Sequence, residues 1–332
     1  DRHPGLPDEA AVARLAARLR ERHRDVSSTI SVVETRETRR IKTTEGADAH
    51  DGRSFVMVRV TVSRADQGEA LDLTFEAPWI VAGTTLDVAF ARLDDRLRWT
   101  GRAATAGNHD LPVVLTPRAL AALVVEPLGE ALSGPALVEG TSFLLDYAPA
   151  DPAGMGLTLL DDPALAGAPR SRRVDDEGVP PVRRELLRDG AVVGRALDLG
   201  SGERLGAPST GSAWRAWDAW PSAAPSTLVV PEGGVPLGDL LAHWPRAILV
   251  DDVSGEWFTD AGASGVTASA SLAFLVEGGE VVGRLRDIAL SADREGLIRG
   301  DLTVSREVEW VGDRAVLPYA HAAGLSVVDA DG

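Results

Sequence analysis

The chain has 332 residues, 44% of them hydrophobic and 25% charged, and its 50 acidic side chains outnumber the 34 basic ones to give a net charge of −16. That apolar share is enough for a buried interior and excludes global disorder, while so acidic a surface repels nucleic-acid phosphates and anionic lipid. There is no cysteine, which excludes disulfide scaffolds, thiolate zinc sites, iron–sulfur ligation and thiol nucleophiles.

No run approaches the ~20 uninterrupted apolar residues of a membrane-spanning helix. Asp1 opens the chain without an initiator Met, as a removed leader or a trimmed start would leave it. Asp8 after Pro7 is a helix cap, and Val12, Leu15, Ala16 and Leu19 follow at helical spacing, which predicts a helix over 8–23. From Val26 the period changes to two. Strands are expected at 27–36 and 38–44, then at 54–63 with Val56, Val58, Val60 and Val62 on one face, then through Leu71, Leu73 and Phe75. A second amphipathic helix is expected at 84–98 and a short strand at 111–115.

Thr116-Pro117 is a strong helix start, because the hydroxyl caps and proline suits the first helical position. That helix should run to Leu132, kinked by Pro127, with Gly134 as its stop. Beyond 141 the pattern is short strands and turns. Asp189-Gly190 and Gly278-Gly279 mark two hairpins, a small helix is expected at 236–243, and 148–154, 163–169 and 200–212 read as loops. The class is α+β with antiparallel sheets dominating. A composition break near 100–110 divides an N-terminal strand–helix region, 1–105, from a β-rich region, 106–332.

Few residues stand in patterns that carry chemistry. The histidines (His3, His23, His50, His109, His243, His321) are dispersed, without the close pair that a mononuclear zinc site uses. Asp161-Asp162, Asp175-Asp176-Glu177 and Asp251-Asp252 read as turn formers and solvated edges. Glu126 and Glu130 lie one turn apart on the same helix face, either a hydrated surface or part of a site. Gly200-Ser201-Gly202 lacks the spacing and the βαβ setting of a dinucleotide loop. Trp214, Trp217 and Trp220 form an aromatic run that reads either as a plug beneath a long loop or as a peptide or partner contact.

Several phrases, in order, resemble the TldD/PmbA family, whose best-known members form a bacterial peptidase of two related subunits. Thr43-Thr44-Glu45-Gly46 is similar to its NSEG element, and Leu115 to Gly134 has the frame of its metal-site helix. Val174-Asp175-Asp176-Glu177-Gly178-Val179-Pro180 is similar to its DDEG-x-P turn, and the hairpin at Asp189-Gly190 follows. Ser209 to Arg215 resembles TGN-x-RR. Ser254-Gly255-Glu256-Trp257-Phe258 and Phe274 to Val281 resemble the closing elements. The likeness covers roughly 27–328, with the family's N-terminal domain shortened.

The resemblance implies a zinc peptidase in active members, with His-Glu-x-x-x-His on the helix and a distant Cys. Laid on this chain, those positions fall on Val125, Glu126 and Glu130, and the Cys has no counterpart. Only the general base, Glu126, remains. The expectation is therefore a non-catalytic subunit similar to PmbA (also called TldE), holding no cofactor. It would pair with a TldD-like chain that carries the zinc, or with itself as a dimer, and would help to bind unfolded peptide in the cytoplasm. Glu130, Trp214, Arg215, Trp217 and Trp220 are the expected binding or interface positions. The alternatives are a divergent hydrolase recruiting Glu126, Glu130 and His109 or His321 to another metal, and a stand-alone β-rich binding protein.

Overall fold

The computed structural model describes residues 6–66, 68–80, 84–107, 111–145, 156–254, 265–293, 297–298 and 300–329. The expected 148–154 loop, His109 and the Gly255–Phe258 phrase lie outside these residues.

The first helix, α1 (Glu9–Arg22), begins where Asp8 accepts the Ala11 amide, and it buries Leu15 and Leu19. Three antiparallel strands follow in the order β1 (Val26–Lys42), β2 (Asp48–Asp66), β3 (Glu69–Pro78). The two strands expected at 27–36 and 38–44 are one. Its pairing runs unbroken from Val26 opposite Arg64 to Lys42 opposite Asp48, because the polar residues near 37 carry cross-strand ion pairs such as Arg53 to Glu37 instead of turning the chain. Val56, Val58, Val60 and Val62 are wholly buried, as the alternation predicts. Helix α2 (Thr84–Thr100) covers that face with Leu86, Ala89, Leu93 and Leu97. Val114, Leu249, Phe274 and Tyr319 join the same apolar cluster from the second sheet.

The second sheet is built on β4 (Val113–Leu115). After Thr116, whose hydroxyl accepts the Ala119 amide, α3 (Pro117–Leu120) leads into one widened turn, 121–125, and then α4 (Glu126–Ala131). The expected kink at Pro127 is thus replaced by a wide turn just upstream: the Glu126 amide bonds Ala121 O, five residues back, and Pro127 falls at the start of α4, where a missing N–H costs little. Nor is Gly134 a stop. The helix ends at Leu132, and Gly134 opens α5 (Gly134–Glu139).

The remaining elements are β5 (Leu159–Asp161), β6 (Arg184–Arg188), β7 (Ala191–Val192), α6 (Leu199–Leu205), β8 (Ala213–Trp214), β9 (Ser222–Ala223), β10 (Leu228–Val229) and α7 (Leu237–Ala242). After them come β11 (Arg246–Ser254), β12 (Gly265–Glu277), β13 (Glu280–Leu285), β14 (Ile288–Asp293), β15 (Leu302–Val311), β16 (Ala315–Ala322) and β17 (Leu325–Asp329). The path of the large sheet is β17-β14-β12-β11-β4-β16-β10-β5-β6-β7, with β13 beside β12 and β15 beside β16. Between the named strands, pairing is antiparallel except for β4–β11 and β10–β16. The fold is α+β with mostly antiparallel sheets. Asp189 and Gly190, both at positive φ, form the primed turn that their sequence predicts.

One expected loop is wrong. Residues 199–205 form a helix because Asp198 and Ser201 make a reciprocal capping box. The three glycines at 200, 202 and 206 disguise it.

Candidate functional site

The three acidic runs are structural devices, and their first members are not the solvated edges expected. Asp161, Asp175 and Asp251, the first member of each, are buried. Asp175 accepts the amides of Glu177, Val179 and Ala213 at 2.8–3.0 Å, which shapes the 175–180 turn and ties it to β8. Asp161 accepts the Ser226 amide at 2.8 Å, and burial pushes its carboxyl above the usual range. Asp251 pairs with buried Arg96 at 2.8 Å. Asp176 takes Arg39 Nη1 at 2.6 Å and the Arg215 amide at 2.9 Å, so the turn also fastens β1.

A cavity of about 760 Å³ lies beside α4. Ala122, Glu126 and Glu130, four residues apart in succession, present one helix face to it. Both glutamates are exposed, and neither forms an ion pair with a described residue. Val125 is fully buried in the core. It is not among the residues that line the cavity. The lining also includes the 223–228 segment and two arginines, Arg170 and Arg314. Sequence reading missed both arginines. They are separated by most of the β-rich half of the chain, and no local pattern links them.

The tryptophan run divides. Trp214 is half-buried beneath three guanidinium groups, with Arg172 at 4.0 Å, Arg170 at 5.1 Å and Arg53 at 5.5 Å from its ring centre. Arg172 also donates to Ala213 O and Gly211 O, and burial pulls its guanidinium down to about 10, leaving it charged at neutral pH. Trp214 therefore acts as a floor that sets the position of Arg170 at the cavity. Trp217 and Trp220 are 92% and 90% exposed, which excludes the plug reading for both. Arg215 turns back to donate to Ala219 O at 3.1 Å, closing the loop that displays them. Trp220 stands just ahead of Ala223, a cavity-lining residue, so the aromatic pair sits near the rim in sequence.

His321, the alternative metal ligand, does not reach the cavity wall. Its Nδ1 lies 2.9 Å from Val113 O and its ring lies against Trp244. Among the described residues the cavity wall thus offers two carboxylates, with no imidazole or thiolate, a donor set that does not fit zinc. Among the described residues no group of three or more His, Cys, Asp or Glu is placed to hold a metal. No described helix is long and apolar enough to cross a membrane.

A three-stranded sheet and helix laid on a long, mostly antiparallel sheet, with a short interrupted helix at its cavity, define a fold found in metallopeptidase-related proteins. The chain superposes on the crystal structure of TldE from Thermococcus kodakarensis with a TM-score of 0.82 at 19% identity, covering 98% of this chain and 79% of that one. Residues 108–329 match the family model described as the PmbA/TldA metallopeptidase C-terminal domain, and the chain belongs to the PmbA/TldD family. It is 27% identical over 202 residues to the metalloprotease PmbA homolog of Haemophilus influenzae, covering 61% of this chain and 42% of that protein. It is 24% identical over 311 residues to the metalloprotease TldD homolog of the same organism, covering 90% and 62%. The chain thus spans only about half the length of these relatives.

Proposed function

We propose that this chain is a binding subunit of the PmbA (TldE) kind, without hydrolytic chemistry of its own, which pairs with a metal-bearing TldD-like subunit and helps to hold extended peptide. The observation that carries this reading is the cavity wall, where Ala122, Glu126 and Glu130 face the space and Val125 is buried. Carboxylates alone hold zinc poorly, and a general base such as Glu126 has little to do without a polarised water. Zinc is expected only in the partner, and the chain itself needs no cofactor. The work is assigned to the cytoplasm.

Two further features support peptide capture. Strand β1 has 17 residues and pairs only with β2 among the described strands, so its other edge offers main-chain donors and acceptors to an extended segment. Trp217 and Trp220 supply exposed aromatic area of the kind that anchors partners. The test is a pull-down of the tagged chain from its native host. It should recover a chain bearing His-Glu-x-x-x-His, and adding this chain should speed that partner's cleavage of an unfolded peptide. Recovery of this chain alone as a monomer, with no effect on the partner's turnover, would contradict the reading.

A further inference from the structure

We propose that the cavity beside α4 binds a short peptide with both ends free, its terminal carboxylate on Arg170 and Arg314 and its ammonium group on Glu126 and Glu130. This rests on the peptide-binding reading above and narrows its ligand.

One concave space carries both signs of charge, and its two glutamates form no ion pair with its two arginines. Glu126 and Glu130 line it from α4, exposed and without an ion pair among the described residues, although like charges one turn apart repel. A cation lodged between them would relieve that repulsion. Arg170 and Arg314, in the same lining, share a single carboxylate. Arg170 Nε donates to Asp313 Oδ2 at 3.0 Å, and Arg314 Nε lies 3.6 Å from Asp313 Oδ1. Both contacts run through Nε, which leaves the terminal Nη nitrogens, the fork that grips carboxylates in bidentate fashion, out of the shared contact.

This is a surplus of positive charge in a chain of net charge −16. Burial and the neighbouring Arg314 and Arg53 charges weigh against the Arg170 guanidinium, and Asp313 supports it. An incoming carboxylate would offset that crowding. Trp214 beneath Arg170 fixes its direction without supplying a counter-charge. The volume, about 760 Å³, suits a ligand of a few residues. A peptide's two ends carry the two charges that the walls lack.

The experiment is calorimetric titration of the full chain with tri-alanine, with its N-acetylated form and with its C-terminal amide. The free peptide should bind, and each cap should weaken binding about tenfold or more, the loss expected for one charge-assisted contact. Arg314→Gln should abolish the preference for acid over amide and keep the preference for amine over acetyl. Glu130→Gln should do the reverse. Both side chains are exposed, and matching thermal melts confirm that the variants fold. Equal binding of free and capped peptides, or no binding of the free peptide, overturns the proposal. A long unfolded peptide capped at both ends separates the two levels. If it binds while tri-alanine does not, only this inference fails; if neither binds, the peptide-binding reading fails with it.

Discussion

At the scale of single residues, the three tryptophans show how alike side chains part company. Trp214 follows the Asp175-anchored turn and is roofed by Arg172, Arg170 and Arg53, whereas Trp217 and Trp220 stand in solvent. Trp214→Ala should therefore lower stability by about 3 kcal/mol through lost packing, read as a fall in the thermal midpoint. Trp217→Ala and Trp220→Ala should leave that midpoint unchanged while weakening peptide or partner binding by about 1–2 kcal/mol each. A stability loss in the latter two, without a binding loss, would assign them to packing. The sequence marked all three as one run. It could not separate them, because the arginines that cover Trp214 come from β2 and from the 170–172 segment, far away in the chain.

At the scale of elements, local signals were read well where the cue was local. Asp8, Thr116 and the Asp189-Gly190 turn act as their residue types predict. Reading failed where a distant contact decides. Gly134 is not a terminator, because its lack of a side chain is needed for packing against α6. A Cβ there would overlap Ser201 Oγ and stand 3.2 Å from the Ala223 Cβ. Gly134→Ala should cost about 2 kcal/mol, the range for overpacking. The helix α6 was hidden by its glycines, although Asp198 and Ser201 cap it reciprocally. Asp198→Ala should cost about 1 kcal/mol, seen in denaturant unfolding. A null effect would show that the capping box does not hold this helix.

At the scale of the molecule, charged bridges join the three-stranded sheet to the β-rich remainder. Asp51 accepts Arg39 Nη2 at 2.8 Å and the Arg173 amide at 3.1 Å, while Asp66 accepts Arg286 Nη2 at 2.5–2.7 Å and also holds Arg284. For Asp51, burial alone would raise its carboxyl, but the Arg39 bond and the amides of Arg173 and Gly52 outweigh it and hold it below the usual range. Arg286 does the same for Asp66. A carboxyl lowered on folding adds stability above its unfolded pKa of about 3.9, and that stability is lost as pH falls through the folded value. Stability should thus drop steeply below about pH 4. Asp51→Asn should flatten that limb and cost about 1.5 kcal/mol at neutral pH, the loss of one charged hydrogen bond, since Arg39 keeps Asp176 as its partner.

The α+β class and the helix that carries Glu126 and Glu130 were legible from periodicity and capping residues. The cavity's arginines were not, since only the β15–β16 turn and the loop before Arg172 bring them to the cavity. The proposed function requires that this cavity have no metal chemistry of its own. The most direct test is elemental analysis of the purified chain alongside its cleavage of an unfolded peptide, with and without chelator. The expected result is no stoichiometric transition metal and no cleavage. A tightly held metal, with chelator-sensitive cleavage that Glu126→Gln abolishes, would contradict it.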